Sequence, residues 1–583
     1  MQADEWHFSA PGRIVAIGDV HGALDALIET LQVANVIDND LAWRGGKTHL
    51  VFTGDLLDRG ADSRLVMDLV MRLEIEARRD GGRVHLVLGN HEVMNLIGDL
   101  RYVADEEYAS FQDMESPKER ESWYRQFRTS KPDDSDESTV RAEFNKAAPP
   151  GFFGHRRAFR HDGRYGKWLL KKPLIVVVNE TAFVHGGIPP YVAENGLMGV
   201  NTDLKNDLIS YVRKREILQD AAIMSPIHPF KKSPQILWEI NQSAPIPQKF
   251  KNTAQGVIDL SLSPLHKPVG PTWYRGTASC SGLIEGDSLD VALSQIGAKR
   301  VVMGHTSTVT RSVQQRMGGR TVEIDTGMLK STYHGSGNAL IIEDDKLRVV
   351  NQDGRTALSP IEHPVRVGHE DMAIDDDGLA EILRTGNVTQ LASDGAAWQL
   401  VHVATDEQRV FAYFRISPEG HQAVPELAAY ELDRMLQLGM IPVTIRREID
   451  GNQGTLQFVP ADAITERERV ATGQVGAVPC GLEKQQAAMH VFDALINNLV
   501  RTPSTMLYSP EDWLLMLVDH EYSFGTDSDR PEHLKDVDLA IGNQWREALR
   551  KLDDDTLHNA LGDLLDEQQL AALGRRRDIL INN

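Results

Sequence analysis

The sequence predicts an α/β fold for the first part of the chain and a separate α+β unit for the rest, so that the whole is α+β. Three short apolar runs near the start each have the length and composition of a strand, and stretches with helical spacing lie between them. Every run ends in a glycine followed by a polar residue. This alternation is typical of a sheet with polar loops at the carboxyl ends of its strands. The strands are predicted at 13–17, 48–53 and 84–88, and the helices between them at 23–33 and 64–77.

The length of the chain predicts more than one domain. At roughly 100–200 residues per domain, 583 residues correspond to two or three domains. We predict a first domain at 1–355, a linker at 356–375 that mixes proline, histidine and acidic residues, and a second domain at 376–583. Two insertions are predicted inside the first domain, a polar and helical one near 104–165 and a second one with several prolines near 190–275. Further strands are predicted at 174–178, 182–184 and 300–303 in the first domain and at 398–405 and 409–416 in the second.

The composition excludes several classes of protein. The 62 Lys and Arg residues against 84 Asp and Glu residues give a net charge of −22. A surface this acidic repels nucleic acid, which we therefore exclude as the main partner. No apolar run approaches the ~18 residues that a membrane-spanning helix needs. The sequence does not determine the cellular compartment. As written it predicts a cytoplasmic protein, and it predicts a periplasmic or exported protein if an N-terminal signal was removed.

The chain has two cysteines, Cys280 and Cys480. They lie far apart in the sequence and match no metal-ligand spacing. One disulfide and two separate thiols are both compatible with this arrangement, and we predict two separate thiols.

Five short motifs at the ends of predicted strands carry the candidate functional residues. Each motif alone is a weak signal, because a polar residue beside glycine is usually a turn residue. Together, and in this order, they indicate a single site. The motifs are Gly18-Asp-Val-His-Gly22, Gly54-Asp-Leu-Leu-Asp-Arg-Gly60, Gly89-Asn-His-Glu92, His185-Gly-Gly187 and Gly304-His-Thr306.

The ligand types in these motifs predict a centre of two metal ions. Aspartate and histidine suit Mn, Fe or Zn as divalent or trivalent ions, and we expect Mn to serve in vitro. Asp19 and His21 lie two residues apart on one loop and can face one ion, and the Asp55 carboxylate can bridge two. Two ions roughly 3.5–4 Å apart would hold a hydroxide between them and neutralise phosphoryl oxygens during in-line attack. The shell of the second ion is completed by Asn90, His185 and His305.

Three residues of the second and third motifs are candidates for catalysis and substrate binding. His91 follows a predicted metal ligand and is suited to be the general acid that protonates the leaving oxygen. Asp58 is the candidate to orient the His91 ring through its other nitrogen. Arg59 offers a planar fork for phosphate oxygens. The alternative for Asp58 and Arg59 is a local ion pair on the surface.

These motifs resemble the phosphoprotein phosphatase family within the calcineurin-like metallophosphoesterases, and more closely the bacterial Shewanella-like phosphatases. The closer resemblance rests on the run 89–103, on Trp273-Tyr-Arg-Gly276 and on Asp325-Thr-Gly-Met328, and it covers residues 10–350. It implies a metallophosphoesterase β-sandwich flanked by helices. It also implies a two-metal phosphomonoesterase that hydrolyses phosphorylated Ser, Thr or Tyr in proteins.

The resemblance also implies roles for individual residues. Arg59 and Arg275 would clamp the phosphate, Asn90 would contact it, and Arg101 would add a further contact. The eukaryotic phosphatases carry another motif where this chain has Asp325-Thr-Gly-Met328, so their substrate grooves do not carry over. The implied ligands are Asp19, His21 and Asp55 for one ion, and Asp55, Asn90, His185 and His305 for the other.

Two other functions stay open at this level. A hydrolase of small phosphoesters or dinucleoside polyphosphates would use the same ligands, although an aspartate at position 58 favours the phosphoprotein phosphatases. A scaffold protein that merely retains metals is the non-enzymatic alternative. The intact set of ligand positions argues against the scaffold.

The second domain resembles atypical kinase-like domains of the bacterial toxin and secretory-pathway kinds. Where such kinases carry a catalytic aspartate and a metal-binding asparagine, this chain has Val500 and Thr505, and Arg415 replaces the lysine that holds ATP phosphates. Asp519 remains, and Glu426 matches the helix glutamate. The resemblance therefore implies a degenerate domain with a binding or regulatory role and weak nucleotide binding. The alternative is that Glu426 and Asp519 are surface or capping residues.

Overall fold

The chain folds into two units in the computed structural model, which describes residues 6–358, 374–390, 398–406, 408–417, 425–474, 479–509, 513–539 and 541–582. The first unit comprises Met1–Ala278 and Val291–Pro360, and the second comprises Ser279–Asp290 and Ile361–Asn583. A short segment that interrupts the first unit in sequence therefore belongs to the second. The predicted linker at 356–375 lies mostly outside the described residues and stays a prediction.

Two six-stranded sheets form the framework of the first unit. Its strands are β1 (His7–Phe8), β2 (Ile14–Ile17), β3 (His49–Phe52), β4 (Arg83–Leu86), β5 (Ile175–Val178), β6 (Thr181–Val184), β7 (Arg300–Met303), β8 (Gln314–Arg316), β9 (Thr321–Glu323), β10 (Ala339–Glu343), β11 (Lys346–Asn351) and β12 (Gly354–Ala357). One sheet has the order β1-β5-β6-β7-β9-β8, and the other β12-β11-β10-β2-β3-β4. Strands β2, β3 and β4 are parallel, as are β6 and β7. The carboxyl ends within each parallel group therefore lie at one edge.

Apolar side chains from both sheets share one core. Val51 and Leu340 of one sheet belong to the same buried cluster as Val176, Phe183 and Val302 of the other. Runs of β-branched residues such as Ile175–Val178 are buried along their whole length, as expected for strands covered on both faces. The predicted α/β sandwich is confirmed, and the strands predicted in this unit lie within two residues of the observed ones.

Helices surround these sheets. Residues 104–165 contain four complete α-helices and the start of a fifth, with an aromatic core of their own that includes Tyr108, Phe144 and Phe152. The assignment of this helical segment as an insertion stays a prediction. Among the described residues, no helix is both long enough and apolar enough to span a membrane. The helices of this unit are α1 (Leu24–Val33), α2 (Ser63–Arg79), α3 (Asn90–Ile97), α4 (Asp105–Ala109), α5 (Pro117–Thr129), α6 (Glu137–Ala147), α7 (Phe152–Ala158), α8 (Arg164–Leu169), α9 (Pro190–Met198), α10 (Lys205–Asp220), α11 (Ser233–Ser243), α12 (Gln248–Leu260) and α15 (Lys330–Tyr333). Two further helices, α13 (Gly276–Ser279) and α14 (Gly282–Gln295), contain residues of both units.

The second unit is an α+β domain with its own core. Its strands are β13 (Asn387–Gln390), β14 (Gln399–Ala404), β15 (Arg409–Ile416), β16 (Thr444–Ile449), β17 (Asn452–Val459), β18 (Ile464–Thr465), β19 (Met506–Tyr508) and β20 (Leu515–Leu517). Its further helices are α16 (Asp376–Thr385), α17 (Pro425–Leu436), α18 (Glu466–Thr472), α19 (Leu482–Ile496), α20 (Asn543–Lys551), α21 (Asp554–Leu561) and α22 (Glu567–Asn582). The sheets have the orders β13-β14-β15-β17-β16 and β18-β19-β20. Both strands predicted in this unit are confirmed as β14 and β15.

The prediction of two separate thiols is wrong. Cys280 and Cys480 form a disulfide, and both are buried against Leu514. The segment that carries Cys280 packs as part of the second unit, where Ser281 Oγ donates to the carbonyl of Gln437 at 2.8 Å. Sequence spacing could not reveal this pairing, because it depends on where a distant segment packs.

Candidate metal centre

The predicted metal ligands all lie in loops or helix ends that follow strands of the two sheets. The loop after β2 carries Asp19 and His21, and the loop after β3 carries Asp55. The parallel pairing of these strands brings their loops to one edge of the sheet. The other ligands follow β4, β6 and β7, and they are Asn90 at the start of α3, His185 and His305.

Asp55 is shared by two groups of potential ligands. His21, Asp55 and His91 form one group and Asp55, His185 and His305 the other, and the ligand atoms within each group lie within 4.8 Å of one another. Asp55 Oδ2 lies 3.2 Å from His185 Nε2 and 3.8 Å from His21 Nε2. A single carboxylate between two groups has the arrangement expected of a bridging ligand.

Asp19 and Asn90 join the same cluster. Asp19 Oδ2 lies 3.9 Å from His21 Nε2, and Asp19 Oδ1 accepts the backbone N–H of His305 at 3.1 Å. Asn90 Oδ1 lies 2.7 Å from His185 Nε2. The structure therefore brings together all six side chains that the sequence indicated as ligands.

The backbone at this cluster is strained. His21, Asp55 and His305 have φ values of 49°, 52° and 66°, in the left-handed region that costs a residue with a side chain about 1–3 kcal/mol. Such strain is typical of functional sites, where the surroundings hold a side chain in a required direction.

The glycines of the motifs provide room for the aspartates. A Cβ atom on Gly89 would lie 2.1 Å from Asp55 Oδ1, and one on Gly304 would lie 2.1 Å from Asp19 Oδ1. Any larger residue at these positions would therefore displace a candidate ligand. This explains why the motifs pair glycine with the acidic and imidazole side chains.

The electrostatics of the cluster fit metal cations. Burial and the neighbouring His91 disfavour the protonated form of His21 and lower its pKa to about 3, which leaves a neutral imidazole able to ligate. The buried Nε2 atom of His305 has no hydrogen-bond partner among the described residues. Burial opposes protonation of His185, but the charges of Asp55 and Asp19 outweigh it and raise the pKa to about 9. The clustered carboxylates favour a positive charge, and the buried imidazole nitrogen of His305 lacks a hydrogen-bond partner among the described residues. Bound metal ions would satisfy both.

His91 and Asp58 form a buried pair beside the ligand cluster. His91 Nδ1 lies 2.6 Å from Asp58 Oδ2, and the Asp58 side chain is fully buried. The alternative of a surface ion pair between Asp58 and Arg59 is therefore wrong. Burial lowers the pKa of His91, but the charges of Asp55 and Asp58 outweigh it and raise the pKa, which favours the protonated form. His91 Nε2 also lies 3.8 Å from Asp55 Oδ2, a proximity to the ligands that the sequence did not indicate.

The predicted phosphate-binding arginines differ in their surroundings. Arg59 is half-buried between the rings of Tyr102 and Tyr333, 5.0 Å from each centroid, with Nη1 3.4 Å from His21 Nε2. Arg275 donates from Nη1 to the carbonyl of His305 at 3.1 Å. Both guanidinium groups therefore lie next to candidate metal ligands.

Arg101 differs from the other two arginines. Its guanidinium forms a bidentate ion pair with Asp99, at 2.7 and 2.9 Å. The guanidinium also lies 5.3 Å from the centroid of the Tyr102 ring. Its predicted role as an additional phosphate contact stays a prediction.

Glu92 is a structural residue of the site to which the sequence motifs gave no role. One carboxylate oxygen accepts the backbone N–H of Asp55 and of Gly89, each at 2.8 Å, and the other accepts that of Leu56 at 2.8 Å. Burial and the charge of Asp55 raise the pKa of Glu92 to about 7. Glu92 thus fixes the strained loop that carries the shared carboxylate. Its position three residues after Gly89, a helix N-cap, is the capping-box spacing and could have indicated its contact with Gly89.

The candidate site of the second unit is filled by an ion-pair cluster. Arg415 Nη1 donates to Glu426 at 2.7 Å and to Asp519 at 3.1 Å. Glu426 is buried, so the alternative of a surface residue is wrong for it. Val500 is 44% exposed and offers no carboxylate. Both acids that the resemblance retained are therefore ion-paired with the arginine that replaces the lysine.

The calcineurin-like phosphoesterase family matches residues 12–308 of the chain. The chain belongs to this family and is a metal-dependent phosphatase of the calcineurin-like type. It is similar to Shewanella-like protein phosphatase 2 of Arabidopsis thaliana, with 30% identity over 360 residues that cover 59% of this chain and 79% of the relative. Within the family it is of the Shewanella-like phosphatase type.

Two solved structures show weaker likeness. The cold-active protein-tyrosine phosphatase of a psychrophilic Shewanella species is 24% identical with a TM-score of 0.41, covering 61% of this chain and 83% of its own. The Helicobacter pylori proinflammatory kinase CtkA is 10% identical with a TM-score of 0.24, covering 34% of this chain and 93% of its own. With TM-scores this low, neither likeness assigns a function, and the degenerate-kinase interpretation of the second unit stays a prediction.

Proposed function

We propose that the chain is a two-metal phosphomonoesterase that hydrolyses phosphorylated Ser, Thr or Tyr in proteins. The observation that carries this proposal is the Asp55 carboxylate shared by two buried groups of potential ligands, one of which includes His91, together with the buried pairing of His91 with Asp58. In this interpretation Asp19, His21 and Asp55 hold one ion. The other ion is held by Asp55, Asn90, His185 and His305.

The donor set of carboxylate, imidazole and amide groups suits Mn, Fe or Zn, with Mn as the ion of choice in vitro. When bound, such ions supply Lewis-acid activation of water and neutralise charge on the phosphate. The chain's own residues then determine how the substrate is oriented and where the proton goes. Arg59 and Arg275 lie next to the ligands and are proposed to hold phosphate oxygens through their guanidinium donors. The side-chain amide of Asn90 is proposed to make a further contact with the phosphate.

His91 is the proposed general acid. Its Nδ1 faces Asp58 at 2.6 Å, which fixes the ring and leaves Nε2 to deliver a proton to the leaving oxygen. The negative charge of Asp58 stabilises the protonated ring before transfer. Asp58 touches neither the phosphate nor the leaving group in this scheme, and it acts through His91.

The proposed substrate class rests on the similarity to a protein phosphatase. A panel of phosphoserine, phosphothreonine and phosphotyrosine peptides, compared with diadenosine polyphosphates at equal concentration, tests it directly. We expect kcat/KM for at least one phosphopeptide class to exceed that for the dinucleotides by about tenfold or more, since substrate contacts beyond the phosphate contribute on this scale. Higher kcat/KM for the dinucleotides would contradict the proposal and favour a small-molecule hydrolase.

For the second unit the proposed role is binding or regulation without phosphoryl transfer. Arg415 pairs with Asp519, the acid that matches the metal-binding aspartate of such kinases, and Val500 provides no base for an accepting hydroxyl. Full-length protein carrying Asp55→Asn, so that label is not removed again, should incorporate no phosphate from γ-labelled ATP with Mg or Mn. Label on the chain itself or on a protein acceptor would contradict this role, whereas weak ATP binding alone would agree with it.

A further inference from the structure

The helical insertion reaches the His91–Asp58 pair through a hydrogen-bond chain that begins at Glu107 of α4. Glu107 Oε2 accepts a hydrogen bond from Ser63 Oγ at 2.7 Å. Ser63 Oγ in turn accepts the backbone N–H of Asp58 at 3.0 Å. Asp58 has a φ of 71°, so this bond helps to hold a backbone conformation that is unfavourable without support.

A second chain begins at Arg156 of α7. Arg156 Nη1 donates to the carbonyl of Asn95 in α3 at 2.6 Å. The Asn95 side chain donates from Nδ2 to Asp58 Oδ1 at 2.8 Å and to the carbonyl of His91 at 3.0 Å. Two helices of the insertion are therefore linked to Asp58, α4 through Ser63 to its backbone and α7 through the backbone and side chain of Asn95 to its carboxylate.

Both hydrogen-bond chains lie in the protein interior, where a lost hydrogen bond is costly. Asp58, Ser63, Asn95 and Glu107 are all fully buried, so water cannot replace a lost partner. Burial and the charge of Asp58 raise the pKa of Glu107 well above its usual value. The hydrogen bond from Ser63 therefore requires an acceptor oxygen on Glu107 and does not require a negative charge.

We propose that Glu107 and Arg156 are positioning residues for the phosphatase reaction, because they hold Asp58 and thereby orient the His91 ring towards the leaving oxygen. This inference rests on the proposed role of His91 as general acid. The inference gives the insertion a role in positioning the catalytic pair, in addition to the packing of its own aromatic core. Loss of either contact should therefore affect proton delivery more than substrate binding.

The first experiment compares Glu107→Leu with Glu107→Gln. Leucine has a similar volume and no acceptor, and glutamine keeps an oxygen for Ser63. Glu107→Leu should lower kcat by about tenfold on a substrate with a poor leaving group such as a phosphoserine peptide, with KM nearly unchanged and a smaller loss on nitrophenyl phosphate. Glu107→Gln should recover most of this loss. Glu106→Gln, an exposed change on the same helix, is the matched control.

The second experiment tests the other chain and guards against misfolding. Arg156→Met should show the same dependence on the leaving group, and Arg156→Lys should recover part of the loss. Ser63→Ala removes the linking hydroxyl with little change in volume, so it should reproduce the Glu107→Leu pattern even if the leucine variant fails to fold.

Equal losses on good and poor leaving groups, or a lowered melting temperature with unchanged kcat, would overturn the inference. Asp58→Asn separates it from the proposed function. If Asp58→Asn itself shows no dependence on the leaving group, the general-acid proposal fails. If Asp58→Asn shows this dependence and both Ser63→Ala and Arg156→Met do not, only the positioning role fails.

Discussion

Asp55→Asn is expected to lower phosphatase activity by on the order of 10³-fold or more, which corresponds to about 4 kcal/mol of transition-state stabilisation. Asp55 is the one carboxylate shared by both ligand groups, with Oδ2 3.2 Å from His185 Nε2. Asparagine keeps the size of the side chain but removes its charge and one of its two oxygen ligands. It therefore cannot bridge two ions, although the fold should tolerate the isosteric change.

Steady-state hydrolysis of an aryl phosphate with saturating Mn measures this effect. Asp25→Asn, the same chemical change at an exposed position on α1, is the matched control and should retain wild-type activity. Activity of Asp55→Asn within a few-fold of wild type would mean that the shared carboxylate is dispensable. The two-metal arrangement would then be wrong even if the chain still binds metal.

His91→Gln is expected to lower turnover by ~10²–10⁴-fold, because a general acid contributes on this scale. The loss should shrink for nitrophenyl phosphate, whose leaving group needs little protonation, and be largest for alkyl phosphates such as phosphoserine. Asp58→Asn should give a milder version of the same pattern, since it disturbs only the orientation and charge of the ring.

Metal content decides between two explanations of a loss at His91. His91 Nε2 lies 3.8 Å from Asp55 Oδ2, so the ring is also close to the ligand groups. A variant with normal metal content and a loss that depends on the leaving group has lost a general acid. A variant that loses metal, with equal losses on all substrates, would mean that His91 serves as a ligand instead.

Much of the candidate metal centre could be predicted from the sequence, because its ligands lie beside glycines just after short apolar strands. Asp19, Asp55 and His305 each come directly after such a strand and a glycine, and the parallel pairing of strands brings such positions together without further information. The strands themselves were predicted well for the same reason. Runs such as Ile175–Val178 are apolar throughout and have no competing helical pattern.

The contacts that support the ligands could not be predicted in this way. Glu92 holds the backbone of Asp55 and Leu56, and Glu107 holds that of Asp58 through Ser63, across dozens of residues of sequence. The capping-box spacing indicates only the contact of Glu92 with Gly89, and no local pattern indicates the long-range partners of Glu92 or Glu107. The disulfide between Cys280 and Cys480 was missed for the same physical reason. Its geometry depends on the packing of a segment that leaves the first unit and joins the second.

The most direct test of the metal centre is metal analysis of the purified full-length chain, combined with hydrolysis of an aryl phosphate before and after chelation. We predict about two metal ions per chain, loss of activity when they are removed, and recovery with Mn. Asp55→Asn should show reduced metal content in the same measurement. Full activity in protein that has been stripped of metal would contradict the proposed two-metal phosphatase.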